Sequence, residues 1–312
     1  MKQAIDQLIV SQRTSWDLAR VNYGDLPAIL SKEIILKEEG YRFLVQFNPG
    51  RVKSSVARTD AQSIRERKCF LCAENRPAQQ QGLCYPPDYD ILLNPYPIFP
   101  RHLTIPSQSH TDQRIATRMG DMLRLAKDLP DFVVFYNGPR CGASAPDHLH
   151  FQAGSKGLLP IEHDAVHYQG KQLIGSTQQG KIYDMENYLR QALIIESNDW
   201  DWLTAQFNAI MRHLCSLQPE ESEPMLNLLS WYDNEQWRLV IFPRVGHRPR
   251  QFFASGEEQL LFSPASVDFG GLLTTIRLED FDRMDADIIQ DMFSQLTFPP
   301  DLWGKLKSRI LN

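Results

Sequence analysis

The chain has 312 residues, of which 42% are hydrophobic and 23% charged, with a net charge of -5 at pH 7. This composition is typical of a folded globular protein and excludes a chain that is disordered throughout. The negative net charge excludes a general attraction to nucleic acid or to an anionic membrane, so any phosphate chemistry must come from local groups.

Neither the start of the chain nor its later apolar runs predict a membrane segment. Residues 1–26 carry charged side chains among the apolar ones, which excludes the uninterrupted apolar core of a signal peptide. No later run approaches the ~20 apolar residues of a membrane span. Five cysteines are too few for a disulfide framework. We therefore expect a cytoplasmic protein.

The predicted elements begin with helix over residues 1–40, where apolar side chains recur at three- and four-residue spacing. The segment Tyr41–Phe47 alternates like a strand, and the turn signal Asn48-Pro49-Gly50 follows it. A basic, hydroxyl-bearing stretch at 51–68 comes next, and it either approaches phosphate groups or forms a solvated face. Its candidate phosphate contacts are Arg51, Lys53, Ser54, Ser55 and Arg58.

The rest of the chain predicts an alternation of short strands and helices. The strands predicted in the first half lie at 90–94, 98–106 and 132–136. The predicted helices lie at 112–129, 182–195 and 199–217. The strands predicted in the second half lie at 225–232 and 237–242. This order of elements indicates an α+β fold.

The second half of the sequence resembles the first half. Residues 237–244 (WRLVIFPR) resemble residues 96–101 (YPIFPR). We interpret this similarity as an internal duplication in which only the first copy keeps paired histidines. The sequence therefore predicts two related lobes, a catalytic one at 1–165 and a degenerate copy at 166–312.

The hexapeptide DHLHFQ at 147–152 carries the sharpest chemical pattern. If it is extended, His148, His150 and Gln152 share one face, because side chains alternate along a strand. A neutral imidazole can attack the α-phosphorus of a nucleotide, and an amide can donate a hydrogen bond to a phosphoryl oxygen. Paired histidines at this spacing also occur on polar strand edges and in adventitious metal sites.

The loop before the hexapeptide offers further groups to a phosphate. Its backbone N–H groups and the hydroxyl of Ser144 suit the oxygens of a phosphoryl group in transfer. The other candidate substrate contacts of this loop are Asn137, Gly138, Arg140 and Gly142.

The run FYNGPRCGASAPDHLHFQ at 135–152 resembles the active-site strand and loop of the H-x-H-x-Q transferases in the histidine-triad superfamily. That group includes galactose-1-phosphate uridylyltransferases, diadenosine tetraphosphate phosphorylases and GDP-hexose phosphorylases, and HLHFQ is most similar to the last. The resemblance implies an α+β fold with a mostly antiparallel central sheet and packed helices. It also implies that His150 takes the nucleotidyl group and that Gln152 holds the phosphate. The families usually read Ser-x-Pro-His, whereas here Asp147 precedes His148.

The segment KCFLCAEN at 68–75 resembles the zinc-binding segment of galactose-1-phosphate uridylyltransferases. The zinc ligands that the resemblance implies are Cys69, Cys72, His110 and His148. Two thiolates and two imidazoles form a closed tetrahedral site, which would brace the strand that presents His150. The alternatives are two buried cysteines, a redox pair, or a site in which His102 replaces His110.

A basic loop follows the strand predicted at 237–242. Its guanidinium groups and imidazole could clamp a phosphate or sugar phosphate, although exposed basic loops are common. The candidates in this loop are Arg244, His247, Arg248 and Arg250. The residues interpreted as surface, packing or structural groups are His163, His167, His213, Cys84 and Cys141.

These features favour a nucleotidyl transferase or phosphorylase that works by double displacement through His150. The hydrolase branch has a third histidine where this chain has Gln152, so the resemblance implies transfer or phosphorolysis. We expect a nucleotide sugar or dinucleoside polyphosphate as substrate and phosphate or a sugar 1-phosphate as acceptor. The main alternative is a non-catalytic, zinc-containing nucleotide-binding module. A nucleic-acid-binding zinc protein is disfavoured by the acidic charge, no membrane partner is expected, and a homodimer is compatible with this interpretation.

Overall fold

The computed structural model describes residues 1–36, 40–52 and 60–311. Four of the candidate phosphate contacts, Lys53, Ser54, Ser55 and Arg58, lie outside the described residues. Within the described ranges, no helix combines the length and the apolar character that crossing a membrane requires.

Helices and strands alternate along most of the described chain. The helices are α1 (Lys2–Ser15), α2 (Asp17–Asp25), α3 (Ala61–Glu66), α4 (Met119–Asp128), α5 (Pro160–His167), α6 (Trp200–Leu217), α7 (Arg250–Phe253), α8 (Ser266–Phe269), α9 (Leu278–Arg283), α10 (Ala286–Ser294) and α11 (Pro300–Leu311). The strands are β1 (Leu30–Leu36), β2 (Tyr41–Phe47), β3 (Gly82–Tyr85), β4 (Tyr89–Leu93), β5 (His102–Pro106), β6 (Phe132–Asn137), β7 (His150–Ser155), β8 (Lys171–Ser176), β9 (Gly180–Met185), β10 (Leu193–Ser197), β11 (Leu226–Asp233), β12 (Gln236–Pro243) and β13 (Leu272–Thr275).

A large antiparallel sheet runs through both halves of the chain. Its 10 strands lie in the order β3-β4-β5-β7-β6-β11-β12-β10-β9-β8. A smaller sheet, β1-β2-β13, pairs β1 antiparallel and β13 parallel to β2. The predicted α+β class with a mostly antiparallel central sheet is confirmed.

The large sheet contains the same five-strand arrangement twice. In the first half the order is β3-β4-β5-β7-β6, and in the second it is β8-β9-β10-β12-β11. Along the chain, a helix follows the third strand of each set: α4 lies between β5 and β6, and α6 lies between β10 and β11. The two sets meet where β6 pairs antiparallel with β11, from Asn137 opposite Asn227 to Val134 opposite Ser230. We call the two five-strand sets with their helices the first and the second lobe; the division predicted at 1–165 and 166–312 stays a prediction.

The two faces of the large sheet carry separate apolar cores. On one face, α4, α6 and α11 pack against alternate strand residues such as Phe151, Leu228 and Leu239. On the other face, the small sheet and helices α8 and α10 pack against Leu229 and Val240. Each such side chain contributes roughly 1.5–3 kcal/mol when it is fully buried.

The second face differs between the lobes. In the first lobe, His150 and Gln152 of β7 project into a cleft on this face. In the second lobe, β12 places Val240 and Phe242 there, and both are fully buried in the core. The second lobe thus has an apolar core where the first lobe has polar side chains.

Two segments that the sequence predicts as helical form strands, and the helix predicted at 112–129 begins only at Met119. Residues 30–36 form β1, which pairs in full register with β2, instead of continuing a helix. The predicted helix at 182–195 is the hairpin β9–β10, with Asn187 at positive φ in its turn. All five residues of β10 are buried, so no polar face marks its strand periodicity.

The hexapeptide is not one extended segment. Strand β7 begins at His150, and His148 lies in the preceding bend. Its ring therefore turns away from the cleft that His150 and Gln152 face, and the prediction that all three share one face is wrong.

Candidate active site and metal centre

Strand β7 presents His150 at the point where the sheet opens. The pairing of β7 with β6 stops at Gln152, and the loop 138–149 separates the two strands from there on. The side chain of Gln113 bridges the opening: its Oε1 accepts the His150 N–H at 2.7 Å. Its Nε2 donates to the carbonyls of His150 and Asn137 at 3.0 and 2.9 Å. Gln113 is fully buried, and its hydrogen bonds fix the backbone that carries the side chains of His150 and Asn137.

The imidazole of His150 has one nitrogen fixed by the backbone. Its Nδ1 lies 2.8 Å from the carbonyl oxygen of His148, which can only accept, so Nδ1 carries the proton. Burial lowers the pKa of His150 to about 4, which keeps the ring neutral at neutral pH. The Nε2 lone pair is therefore available in the cleft that His150 lines.

The amide of Gln152 is held through its oxygen. The Oε1 atom lies 3.0 Å from His102 Nε2 and 3.2 Å from Asn94 Nδ2. His102 is fully buried on β5 and does not join the cysteines, so its alternative assignment as a metal ligand is wrong. The amide nitrogen of Gln152 is the part left to face the cleft.

The cleft has two compartments that share Arg51, Ser144 and Gln152. The apolar compartment contains His150 and is lined further by Trp16, Phe70, Leu71, Leu92 and Tyr96. The polar compartment is lined further by Asn137, Gly142, His247, Arg248 and Asp268. The apolar and the polar compartment therefore meet at Ser144 and Gln152. These are the two residues that the sequence predicts to contact the phosphate.

The predicted loop residues Asn137 and Gly142 line the polar compartment. The Oδ1 atom of Asn137 accepts from the backbone N–H of Ser266 at 2.8 Å and from Asn227 Nδ2 at 3.1 Å. These contacts occupy the oxygen and leave the amide nitrogen to face the cleft. Gly142 has φ +92, and a Cβ there would lie 2.6 Å from the Cβ of Ala265. Only glycine fits this position without displacing the neighbouring loop.

The charged groups of the polar compartment influence one another. Burial raises the pKa of Asp268 to about 6, although backbone N–H groups and Arg51 oppose this rise. Burial lowers the pKa of Arg51 to about 10, so it remains a cation. Burial, followed by the neighbouring arginines, lowers the pKa of His247 to about 4. At neutral pH the compartment therefore contains the cation of Arg51, a neutral imidazole and the Asp268 carboxylate, whose oxygens accept from the backbone N–H groups of Ala265 and Thr274.

Three predicted substrate contacts do not line the cleft. Arg244 is fully buried and donates to Asn227, to Pro264 and to backbone carbonyls of its own loop, so it is a structural clamp for His247. Arg140 is exposed and pairs with Glu221. Gly138 is buried, and a Cβ there would lie 2.8 Å from the carbonyl oxygen of Leu226. Arg250, the other basic residue of the predicted clamp, is exposed and pairs with Asp291 at 2.7 Å.

The four predicted metal ligands lie together. The donor atoms of Cys69, Cys72, His110 and His148 are all within 4.8 Å of one another. The Nδ1 atom of His148 lies 3.3 Å from Cys69 Sγ and 3.5 Å from Cys72 Sγ, and His110 Nδ1 lies 3.2 Å from Cys72 Sγ. Separations between ligand atoms in a tetrahedral site with bonds of ~2.0–2.3 Å fall in this range. This cluster could therefore hold a metal ion.

The surroundings of the cluster also suit a metal. The Nε2 atom of His148 donates to the carbonyl of Ser107 at 2.7 Å, which leaves Nδ1 unprotonated toward the cysteines. Burial opposes ionisation of the Cys69 thiol, whereas the backbone N–H groups of Leu71 and Cys72 point at its sulfur and lower its pKa. Thiolate is the form that binds metal. Asp147, paired with Arg67, lies 3.7 Å from His110 Nε2.

The remaining histidines and cysteines do not line the cleft. His163 and His167 stack on α5, with ring centroids 4.7 Å apart, and His213 lies on α6. Cys84 is exposed. Cys141 is fully buried, and burial raises the pKa of its thiol to about 11, which suits an inert structural thiol.

Sequence reasoning missed several residues that shape the site. They are Gln113, His102, Asn94, Asp268, Trp16, Phe70 and Tyr96. Their roles depend on contacts between distant segments, and no local pattern marks them. The nearest local signal is alternation on β5, which places His102 and Thr104 on the same face, with Thr104 opposite Gln152.

Two family models and a solved fold match this chain. Residues 8–155 match a model described as a domain of unknown function, DUF4922, and residues 165–312 match one described as GDPGP1-like, C-terminal domain. No curated protein shows significant sequence similarity.

The crystal structure of yeast Ap4A phosphorylase Apa2 is 16% identical, with a TM-score of 0.62, over 91% of this chain and 98% of that chain. Its complex with Ap4A gives a TM-score of 0.61 at 16% identity, over 95% of this chain and 98% of that chain. This likeness shows that the two proteins share a fold.

The chain therefore has the fold of the Ap4A phosphorylase Apa2, and its C-terminal half matches the GDPGP1-like C-terminal domain.

Proposed function

We propose that the protein is a nucleotidyl transferase or phosphorylase that works through a nucleotidyl intermediate on His150. The observation that carries this proposal is the neutral imidazole of His150, whose proton is held on Nδ1 and whose Nε2 lines the cleft beside Gln152. A buried imidazole with its tautomer fixed in this way is an activated nucleophile.

The proposed chemistry has two steps. First, Nε2 of His150 attacks the α-phosphorus; a P–N bond forms, the P–O bond to the leaving phosphoryl group breaks, and that oxygen takes the electron pair. An acceptor oxygen then attacks the same phosphorus, a P–O bond forms and the P–N bond breaks, which restores the neutral imidazole. The amides of Gln152 and Asn137 and the hydroxyl of Ser144 donate to the phosphoryl oxygens in both steps.

The two compartments suit the two parts of a nucleotide substrate. Trp16, Phe70 and Tyr96 give the apolar compartment the aromatic surface that a nucleobase requires. Arg51, Arg248 and His247 give the polar compartment the donors that a phosphate requires. We therefore assign the nucleoside to the apolar side and the leaving or accepting phosphate to the polar side.

The substrate we propose is a nucleotide sugar or a dinucleoside polyphosphate, with phosphate or a sugar 1-phosphate as the acceptor. The similarity of HLHFQ to the GDP-hexose phosphorylases supports a nucleotide sugar, and the yeast phosphorylase with the same fold, which was solved in complex with Ap4A, supports a dinucleoside polyphosphate. The cationic groups of the polar compartment are compatible with either leaving group.

We also propose that the metal is zinc and that its role is structural. Cys69, Cys72, His110 and His148 form a closed N₂S₂ donor set, which zinc prefers. When bound, the metal would supply a cross-link among three distant segments. His148 lies two residues before His150, so holding its ring steadies the start of β7.

The test is intact-protein mass spectrometry after incubation with UDP-glucose, GDP-glucose, ATP or diadenosine tetraphosphate, each without an acceptor. We expect an acid-labile gain of one nucleoside monophosphate in the wild type and in His167→Ala, which alters an exposed histidine outside the cleft, and no gain in His150→Ala. Formation of the same adduct by His150→Ala would contradict the proposal. Nucleotide binding without an adduct from any donor would favour the non-catalytic binding module.

A further inference from the structure

We propose that His102 is a positioning residue that fixes the orientation of the Gln152 side-chain amide, so that its NH₂ group rather than its carbonyl faces the phosphoryl group. The catalytic meaning of this inference rests on the proposed function. The hydrogen-bond chain beneath it can be tested without any turnover.

The chain of hydrogen bonds begins at a backbone amide. The N–H of Ile98 donates to Nδ1 of His102 at 3.1 Å. A backbone N–H can only donate, so Nδ1 of His102 must carry the lone pair. The proton of the neutral ring is therefore on Nε2, and burial, which lowers the pKa of His102 to about 3, keeps the ring in this neutral form.

The same chain then determines the orientation of Gln152. Nε2 of His102 donates to Oε1 of Gln152 at 3.0 Å, and Nδ2 of Asn94 donates to the same oxygen at 3.2 Å. The polarity of Asn94 is itself fixed, because its Oδ1 accepts the N–H of Tyr96 at 2.9 Å. A flipped Gln152 amide would place its NH₂ against two donors, which is unfavourable.

Packing holds the ring of His102 in place. Gly154 lies directly opposite His102 in the β5–β7 pairing, and a Cβ on Gly154 would lie 2.3 Å from the ring of Phe99. The missing side chain makes room for Phe99, whose ring meets the His102 ring edge-on with centroids 5.5 Å apart. Phe135 closes the other side, with its ring centroid 5.8 Å from that of His102. The imidazole therefore has little freedom to turn.

The consequence is a preorganised donor. A solvated glutamine samples both amide orientations, and one of them would point a carbonyl oxygen at an anionic phosphoryl group. With Oε1 bound to His102 and Asn94, the NH₂ group of Gln152 faces the cleft before substrate arrives. Donors fixed in this way stabilise developing charge without reorganisation during the reaction.

Two variants of His102 each keep the hydrogen bond of one ring nitrogen and so test the two nitrogens separately. In His102→Gln the longer side chain places an amide nitrogen near the position of Nε2 and can still donate to Gln152. In His102→Asn the shorter side chain can accept the Ile98 N–H but does not reach Gln152. We expect His102→Asn to slow adduct formation by about 10- to 100-fold with nearly unchanged nucleotide affinity, and His102→Gln to recover most of the rate.

The decisive measurement is a double-mutant cycle with Gln152→Ala. If His102 acts through Gln152, His102→Asn has no further effect on the adduct rate once Gln152 is alanine. If His102 only supports the fold, His102→Asn lowers the rate by the same factor in both backgrounds, and this result would overturn the proposal.

Nitrogen-15 NMR of the imidazole tests the hydrogen bonds independently of activity. We expect His102 in the wild type to be protonated on Nε2 alone, and Gln152→Ala to shift that nitrogen. Protonation on Nδ1 would overturn the proposal. If the wild type forms no adduct with any donor while Nε2 carries the proton, the proposed function fails and the positioning of Gln152 stands.

Discussion

Three histidines of the site each bind the backbone through one ring nitrogen, and the backbone partner decides what the other nitrogen can do. Nδ1 of His150 donates to a carbonyl, which leaves a lone pair on Nε2. Nε2 of His148 donates to the carbonyl of Ser107, which leaves a lone pair on Nδ1. Nδ1 of His102 accepts from an N–H, which leaves a donor on Nε2. One residue type thus presents a lone pair to the cleft at His150, a lone pair to the cysteines at His148 and a hydrogen-bond donor to Gln152 at His102.

The buried ring of His102 predicts a dependence of stability on pH. Burial lowers its folded-state pKa from 6.5 to about 3, so it stabilises the protein above pH 6.5, and this contribution is lost as the pH falls toward 3. Between pH 7.5 and 5.5 the loss is about 1 kcal/mol. Urea unfolding at both pH values should therefore show a smaller change for His102→Gln than for the wild type. An equal change in the two proteins would contradict this prediction.

We expect the side chain of Gln113 to contribute both to the free energy of unfolding and to the rate of adduct formation. In Gln113→Leu the backbone N–H and C=O of His150 lose a buried partner, which costs about 2–4 kcal/mol of the free energy of unfolding. We expect that loss in chemical denaturation, together with slower adduct formation. The matched control is Gln62→Leu on the exposed α3, which should change neither quantity by much. Similar values for the two variants would show that Gln113 does not brace β7.

At the scale of elements, the loop 138–149 determines where the cleft lies. The loop begins after Asn137, the last residue of β6, and ends at His150, the first residue of β7. Between these strands it packs against the segment 264–266 of the second lobe. Glycines allow the close approach, since a Cβ on Gly142 would overlap Ala265. The loop therefore needs both its own glycines and its partner segment to keep its shape.

The substitution Gly142→Ala separates close contact from backbone strain. Gly142 combines φ +92 with a contact of 2.6 Å, whereas Gly157 has φ +89 and nothing within 4 Å. We expect Gly157→Ala to cost about 1 kcal/mol from strain alone, and Gly142→Ala to cost about 2–4 kcal/mol and to slow adduct formation. Thermal unfolding and the adduct rate would measure both effects. Equal losses in both variants would mean that the contact with Ala265 is unimportant.

The sequence predicts elements where the pattern is local. The alternation in Tyr41–Phe47 and the apolar run that became β6 were sufficient for those strands. The strand at 30–36 could not be recognised, because β1 is specified by its pairing with β2. The hairpin at 182–195 could not be recognised either, because β10 is buried on both faces. Pairing of this kind joins segments that no local window contains.

The candidate site shows the same limit. The cysteines, His148, His150 and Gln152 lie in two short motifs, so a resemblance located them. His102 and Gln113 reach the site from separate segments, and nothing near them in sequence marks their roles. Arg244 had the right residue type for a phosphate clamp, but complete burial gives it a structural role instead.

At the scale of the whole molecule, the two lobes contribute different parts of one cleft. The first lobe supplies His150, Gln152 and the proposed metal ligands, whereas His247, Arg248 and Asp268 come from the second. At the corresponding face of the second lobe, Val240 and Phe242 lie in an apolar core. A boundary at 165/166 remains a prediction, and it falls within α5.

Removal of the metal should destabilise the molecule because the four ligands come from three separate segments. We expect zinc in the purified protein by elemental analysis, and a melting temperature lower by several degrees after chelation or in Cys72→Ser, since ~1 kcal/mol moves a domain of this size by about 2–4 °C. Cys84→Ser, which changes an exposed cysteine outside the cluster, is the control. A protein that contains no metal, and a Cys72→Ser variant that melts like the wild type, would contradict a structural metal.

The central claim is that the nucleotidyl group passes through His150, and stereochemistry at the α-phosphorus tests it most directly. With a chiral α-phosphorothioate of the donor that the mass screen identifies, two successive in-line displacements give overall retention of configuration. We predict retention, and loss of all turnover in His150→Ala. Inversion would mean a single direct transfer from donor to acceptor and would contradict the nucleotidyl intermediate.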